Sequence, residues 1–180
     1  ATYSFDRKYL FSGTLRSDKS SRFAEDVQDD YFPSASVGWV IDKESFFTST
    51  FINSLKLRAS YGEIGNQSLP ASNPDVNISA LNDGTAFYSF SGSRGQVNTG
   101  AALSSVGNAG LTWEKSISTN FGIDFSMMDR KLSGSIEYFK LNTVDLIVRD
   151  QSLISTTAID AGAPFVNFGE VQNTGVDFQM

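Results

Sequence analysis

The sequence predicts an all-β protein, and three observations carry this prediction. Apolar residues alternate with small or polar ones over long stretches, which is the period-2 pattern of strands with two different faces. Phe is enriched at 15 of 180 residues and Pro is limited to 4, a composition that favours strands. Long amphipathic helical patterns are missing, and no run approaches the roughly 18 uncharged apolar residues that mark a membrane helix.

The clearest alternation lies in residues 111–138. The apolar set of its first arm is Leu111, Trp113, Ile117, Phe121, Ile123, Phe125 and Met127. The pattern stops at residues 128–131 and restarts with its phase reset, so that Ile136 and Tyr138 share one face. This is the pattern of a β-hairpin. Each arm is about ten residues or more, longer than the usual strand and close to the length that crosses a bilayer at a tilt.

Similar alternation continues on both sides of the hairpin. The other predicted strands are 1–5, 9–16, 31–41, 55–61 and 176–180, with 141–150 continuing the second arm outward. A return segment at 151–168 and a short turn at Glu170–Thr174 lead into the last strand. We therefore expect about eight strands. Both ends of the chain read as unfinished strands, so we expect an incomplete fragment of a longer polypeptide.

The predicted connections alternate in length along the chain. They are, in order, 6–8 (short), 17–30 (long), 42–54 (compact), 62–110 (very long), 128–131 (tight), about 142–153 (longer) and 170–174 (short). Up-and-down strands with short turns at one end and long loops at the other are typical of outer-membrane barrels. A Greek-key sandwich has no reason to sort its loops in this way. The sequence favours an antiparallel up-and-down transmembrane β-barrel, with a soluble sandwich as the alternative.

The charges on the predicted strands fall in phase with the Ser and Gly positions. Such charges are unfavourable against lipid and harmless on a wet interior. The residues predicted to face the lumen are Arg16, Lys56, Arg58, Asp124 and Glu137. The residues predicted to face lipid are Val37, Trp39, Leu57, Phe121, Ile123, Phe125 and Ile136. On a single strand, a solvated sheet face would give the same pattern.

Several classes of chemistry are disfavoured by composition. The chain has no His and no Cys, so neither a His-dependent triad nor a Cys-ligated metal site is possible within it. We predict no catalytic residues, no metal and no cofactor, although a two-carboxylate glycosidase stays formally open. The net charge of −6 argues against nucleic-acid binding. An acidic group at Glu25, Asp26, Asp29 and Asp30 lacks the spacing of a calcium loop, and a solvated loop explains it better.

Residues 62–110 are predicted to form a long loop, rich in Gly, Ser, Asn and Ala. So long a connection in a compact domain is usually functional or disordered. Function tends to lie on loops, which makes the aromatic and acidic side chains of this segment candidates for contact with a ligand or a lid. These candidates are Phe87, Tyr88, Phe90, Glu63, Asp75 and Asp83.

An ordered series of motifs points to a family. The motifs are SSRF (20–23), YFPSASVGW (31–39), ESFF (44–47), SLKLRASYGEIGN (54–66), LTWEKSISTNFGIDF (111–125), RKLSGSIEYF (130–139), TVDLI (143–147) and NFGEVQNTGVDF (167–178). Together they resemble the C-terminal half of the barrel in SusC/RagA-like TonB-dependent transporters of Bacteroidetes. One departure lies at residues 107–111, where the Asn-Pro-x-Leu that often precedes the Trp-Glu pair lacks its proline.

The resemblance implies a location in the outer membrane of a Gram-negative, Bacteroidetes-like cell. Residues 1–180 would be part of one barrel domain, with loop 62–110 extracellular and the plug and remaining strands outside this sequence. The family implies import of glycan or peptide oligomers, a SusD-like surface lipoprotein as lid, and coupling to a TonB complex through the plug. Contact with outer-membrane lipid is also implied. A passive porin and a soluble carbohydrate-binding sandwich are the alternatives.

Overall fold

The computed structural model describes residues 1–69, 78–88, 98–152 and 161–180. The strands are β1 (Thr2–Phe5), β2 (Tyr9–Lys19), β3 (Asp29–Val40), β4 (Ile52–Asn66), β5 (Ala80–Tyr88), β6 (Asn98–Ser105), β7 (Glu114–Met127), β8 (Leu132–Val144), β9 (Ile147–Arg149), β10 (Phe165–Asn167) and β11 (Glu170–Gln179). Seven of them form one antiparallel sheet in the order β1-β2-β3-β4-β7-β8-β11, which we call the wall. Two small sheets, β5-β6 and β9-β10, lie in the connections.

The wall runs strictly up and down, so its connections alternate between its two ends. At one end, the turn end, lie residues 6–8, 41–51 and 128–131; at the other, the loop end, lie 20–28, 67–113 and 145–169. The tight turns require positive φ at non-glycine residues, among them Asp6, Asp129 and Arg130. The tight turns and the longest loops are sorted to opposite ends as the sequence indicates, although the turn-end connection 41–51 is longer than the loop-end connection 20–28. In the described part of the chain, no helix has the length and apolarity to span a membrane.

One predicted turn is wrong, and several strands are longer than predicted. Residues 170–174 belong to β11, whose Glu170 is paired with Val144 of β8. The chain reverses just before this point, where Gly169 has a φ of +86°, a conformation that glycine adopts readily. The wall has seven strands, close to the number of about eight that the sequence predicts for the fragment.

The two long connections are shorter than the sequence suggested. Strand β2 extends to Lys19 and β3 begins at Asp29, and their register includes a Lys19–Asp29 pair joined by a 3.0 Å ion pair. Strand β4 continues to Asn66, paired along its whole length with β7. Within residues 67–113, β5 and β6 form a hairpin, in a segment that the sequence predicts to be a long loop.

The buried core of the described residues lies at the loop end and not in the wall. Its cluster consists of Phe23, Phe32, Leu69, Leu111, Trp113 and Phe165. Strands β3 and β4 are paired only up to Ser34 and Gly62, and beyond this pair each strand keeps only its other neighbour. The Phe32 ring occupies the split, where it packs against Gly65 and lies edge-on to Trp113 at 5.7 Å between ring centroids. We call this split and its filling the aromatic wedge.

Candidate functional site: the two faces and the loop end of the wall

The register of the wall separates the predicted residues into two faces. Ladders of paired positions join Val37, Ala59, Phe121 and Tyr138, and likewise Trp39, Leu57, Ile123 and Ile136. All seven residues predicted to face lipid lie on this apolar face. Phe121 is 54% exposed and Ile123 41%, and no second layer of described residues covers them. The five residues predicted to face the lumen lie on the opposite, polar face.

An ion-pair network lies at the centre of the polar face. Arg58 Nε of β4 lies 3.2 Å from Asp124 Oδ1 of β7, and Arg58 Nη2 lies 2.5 Å from Glu137 Oε2 of β8. Arg58 reaches β8 by crossing Gly122, where a Cβ atom would stand 2.7 Å from its guanidinium carbon. Charge-assisted hydrogen bonds of this kind are stronger than neutral ones. The structure therefore brings three of the five predicted lumenal residues together.

The other two lumenal candidates lie apart from this network. Arg16 forms a 2.9 Å ion pair with Asp18 near the loop end, and its guanidinium also lies 5.4 Å from the centroid of the Phe32 ring. Lys56 lies opposite Asp124 in the register, but its chain packs towards β3, over Gly38. The two basic residues of β4, Lys56 and Arg58, therefore lean in opposite directions across the sheet.

At the turn end, Glu44 is an acceptor that the sequence did not single out. It accepts hydrogen bonds from Tyr9 Oη (2.7 Å), Trp39 Nε1 (3.1 Å) and Lys8 Nζ (3.2 Å). The bond from Tyr9, followed by the one from Trp39, holds the pKa of Glu44 below its ordinary value of 4.5. The bond to Glu44 raises the pKa of Lys8. The signal available in the sequence was a lone acidic residue at the start of the ESFF motif.

Aromatic rings surround Glu44 on the apolar face. Tyr9 stacks on Trp39 with 6.5 Å between ring centroids, and Phe5 and Phe46 each lie 6.3 Å from one of these two rings. Amphipathic rings of this type gather at the headgroup level of membranes. Trp39 is accordingly half-buried, with its indole N–H turned to Glu44 and its ring on the outer surface.

At the loop end, residues from four of the quoted motifs meet in what we call the rim joint. Glu114 accepts hydrogen bonds from Asn66 Nδ2 (2.9 Å) and from the backbone N–H of Ile147 (3.1 Å). The Asn167 side chain accepts from Thr112 N (2.7 Å), and its amide donates to the carbonyl oxygens of Thr112 (3.0 Å) and Asp145 (2.9 Å).

The rim joint is completed by the buried Trp113, whose Nε1 donates to the carbonyl oxygen of Gln28 at 3.3 Å. The Trp-Glu pair thus ties the start of β7 to all three loop-end connections. The strand pattern had placed Leu111 and Trp113 in phase with the apolar face, and that placement is wrong. Strand β7 begins only at Glu114, so both residues precede it and turn into the core.

The candidates for ligand or lid contact do not form one cluster. Glu63 lies in β4 rather than in a loop, and it accepts a 2.5 Å hydrogen bond from Tyr61 Oη. Asp83 and Phe87 are exposed on the β5-β6 hairpin, which also contains Tyr88. Phe90 and Asp75 lie outside the described residues.

The acidic residues near the first long loop are partly paired. Asp29 binds Lys19, and Asp30 binds Lys115 at 2.7 Å. Among the side chains that the structure describes, no three potential acidic ligands come close enough to hold a metal ion.

Together these features define a class. An up-and-down sheet with an exposed apolar face, a polar face crossed by ion pairs and loops sorted to one end is the wall of an outer-membrane β-barrel. The family described as "TonB dependent receptor-like, beta-barrel" matches residues 1–180. The chain belongs to this family, in its SusC/RagA-like branch, and is therefore an outer-membrane protein.

Curated relatives match almost the whole chain. It is 36% identical over 174 residues to the TonB-dependent receptor P39 of Formosa agariphila, covering 96% of this chain and 15% of that receptor. It is 30% identical over 184 residues to the TonB-dependent receptor SusC of Bacteroides thetaiotaomicron, covering 99% of this chain and 17% of SusC. The chain thus spans about a sixth of the length of these relatives.

Solved structures show the same fold. The RagAB peptide importer in its open-open state matches with a TM-score of 0.80 and 25% identity, over 98% of this chain and 18% of that chain. Its closed-closed state matches with a TM-score of 0.78 and 26% identity, with the same coverage. The sequence-based expectation of a SusC/RagA-like family and of an all-β barrel segment is confirmed.

Proposed function

We propose that this chain is part of the wall of a larger plugged barrel that imports oligomeric nutrients, glycans or peptides, across the outer membrane. The whole of 1–180 lies in one barrel domain, and the plug that contacts a TonB complex lies elsewhere in the receptor. The observation that carries the proposal is the division of the wall into an exposed apolar face and an ion-paired polar face. Relatives named for TonB dependence, and one structural neighbour named a peptide importer, support it.

In this proposal the apolar face meets outer-membrane lipid. Hydrocarbon gives backbone amides no alternative partners, so a continuous antiparallel ladder is required there. The polar face lines the lumen, where the charges of Arg58, Asp124 and Glu137 are compensated by one another. The turn end lies on the periplasmic side and the loop end outside the cell, as short turns and long loops are distributed in such barrels.

The loop end is the surface we assign to a SusD-like lipoprotein lid. The rim joint holds the three loop-end connections to one another where they leave the wall. A partner would therefore contact loops that are fixed at this level. Above it, the β5-β6 hairpin exposes Leu81 (66%) and Phe87 (66%) with the neighbouring Asp83. Exposed aromatic and apolar side chains of this kind favour a contact surface. Tyr88 of the same hairpin is assigned with them, as are Phe90 and Asp75, which lie outside the described residues. Glu63 contributes from the end of β4.

The face assignment is tested by site-specific labelling, for which the absence of Cys in the chain is convenient. The full-length receptor carrying Phe121→Cys or Asp124→Cys is labelled with a fluorophore in lipid vesicles. We expect a quencher attached to acyl chains to act on the label at 121, and a water-soluble quencher to act on the label at 124. The reverse result would exclude the barrel orientation.

The import function is tested by uptake of a fluorescent oligomer in cells that carry the receptor. Removal of TonB is expected to abolish uptake, and removal of the lipoprotein partner to reduce it. Uptake that continues unchanged without TonB would support a passive porin in place of the proposed importer.

A further inference from the structure

A recess lies on the polar face of strands β1 to β4, beside the Arg58 ion pairs. Its volume is about 410 Å³, and Asn120 of β7 closes one side. The polar residues that line it include Ser12, Ser36, Ser60, Asn120 and Lys56, and the apolar ones are Tyr3, Leu10, Phe11, Val37 and Ala59. Arg58 also borders the recess, and none of the described lining residues is acidic.

The two cations beside the recess differ in their charge balance. The guanidinium of Arg58 is engaged by Asp124 and Glu137, so its charge is more than compensated. Lys56 has no ion pair with any described residue. Its chain leans away from Asp124, and its Cε lies 3.4 Å from where a Cβ of Gly38 would stand. The ammonium is therefore held on the recess side of β4, half-buried and available.

The hydroxyl groups of the recess are arranged as donors. Ser12 Oγ and Ser36 Oγ share one hydrogen bond of 2.8 Å, which uses only one of their two protons. Ser60 Oγ accepts from Asn120 Nδ2 at 3.3 Å, which leaves its own proton free to donate. These residues lie in one ladder, because Ser12 pairs with Ser36, Ser36 with Ser60, and Ser60 with Asn120. A row of donors beside an ammonium group is suited to an anionic acceptor.

We propose that this recess binds a carboxylate group of the transported oligomer, with Lys56 as its charge partner and the Ser12-Ser36-Ser60 row as hydrogen-bond donors. The proposal rests on the proposed function, because it requires the polar face to line the passage of an importer. A carboxylate has the single negative charge and the planar pair of acceptors that one ammonium and two hydroxyls can satisfy. Two sources share this chemistry, the uronate of an acidic glycan and the C-terminus of a peptide.

The test is calorimetric titration of the detergent-solubilised full-length receptor with two matched pairs of probes. One pair is trigalacturonate and trigalactose, and the other is a tetrapeptide with a free C-terminus and its amide. We expect the carboxylate member of one pair to bind at least tenfold more tightly than its neutral partner, with the difference shrinking at high salt. The pair that shows this difference identifies the source of the carboxylate.

Variants assign the preference to the recess. Lys56→Gln removes the charge but leaves a polar side chain one atom shorter, and it is expected to abolish the tenfold preference, while Lys56→Arg is expected to retain most of it. Lys43→Gln is the matched control, because Lys43 lies outside the recess, in the short 3-10 helix Ile41–Lys43, where it donates a hydrogen bond to the carbonyl oxygen of Arg7. It is expected to leave the preference unchanged.

Two outcomes would overturn the inference. In one, each carboxylate probe binds no better than its neutral partner. In the other, Lys56→Gln binds all probes as the parent does, which would show that the carboxylate is bound elsewhere in the receptor. In either case, intact TonB-dependent uptake would leave the proposed import function standing. Loss of that function would appear instead as uptake that does not depend on TonB.

Discussion

Arg58 of β4 and Glu137 of β8 are joined by an ion pair although β7 lies between their strands. The contact exists because the position between them in the ladder is Gly122, which offers no side chain for the guanidinium to cross. One glycine therefore couples three strands on the polar face. Asp124, two residues further along β7, accepts a hydrogen bond from Nε of the same guanidinium.

The first prediction concerns this crossing. Gly122→Ala is expected to displace Arg58 from Glu137, because the new Cβ would overlap the guanidinium. The free energy of unfolding should fall by about 1 kcal/mol, as expected for the loss of partly exposed ion pairs. The measurement is the midpoint of denaturant unfolding of the full-length receptor in detergent. Gly62→Ala is the control, since a Cβ there would meet Ser34 at an ordinary 3.5 Å, and it should leave the midpoint unchanged.

The second prediction concerns the aromatic wedge. Trp113 is 3% exposed, and Trp113→Ala should lower the free energy of unfolding by about 3 to 5 kcal/mol through the cavity it leaves. Phe168→Ala at the same end should change it by no more than about 0.5 kcal/mol, because Phe168 is 75% exposed. Thermal unfolding of both variants, side by side, measures the difference. A loss of stability for Trp113→Ala no larger than that for Phe168→Ala would show that the buried ring contributes no more than an exposed one.

The third prediction concerns the rim joint. Asn167→Ala removes three hydrogen bonds between loop bases, and we expect it to cost about 1 to 3 kcal/mol. The effect should be local, so limited proteolysis should cut the loop-end connections faster while the wall stays intact. Asn173→Ala, at an exposed position of β11, is the comparison. If both variants are cut at the parental rate, the joint does not hold the loops.

The fourth prediction concerns pH at the turn end. The pKa of Glu44 is lowered in the folded protein, so its ionised form is the one that folding favours. Its contribution is therefore complete above the ordinary pKa of 4.5 and is lost as the pH falls through the lowered value. Glu44→Gln should be less stable than the parent at pH 7, and the gap should narrow below pH 4.5. A gap that is constant with pH would show that the carboxylate charge is not involved.

The wall could be predicted from the sequence because each of its strands has two chemically different faces. Positions such as Phe121 and Asp124 are assigned to opposite faces by parity alone, and the register bears this parity out. The alternation of residues assigns faces only within a strand, so it gives the wrong face beyond the end of a strand. Leu111 and Trp113 continue the apolar phase of β7 in the sequence, but the chain there is no longer a strand and turns inward to the loop-end core.

Contacts across strands were beyond prediction for a different reason. Arg58, Asp124 and Glu137 could be placed on one face, but their contact depends on register and on the gap at Gly122. Lys56 could be placed on the same face, but the direction of its side chain, towards Gly38, depends on packing that the sequence does not show. The β5-β6 hairpin was only partly visible, since its strands are rich in small and polar residues that resemble a loop.

The aromatic wedge makes the two ends of the wall mechanically unequal. At the turn end, neighbouring strands are fastened by backbone hydrogen bonds, so a change of curvature there would break them. Between β3 and β4 at the loop end, the aromatic rings of Phe32 and Trp113 take the place of backbone hydrogen bonds. A change in the packing of Phe32 on Trp113 would therefore move β3 relative to β4 at the loop end without breaking a backbone hydrogen bond between them.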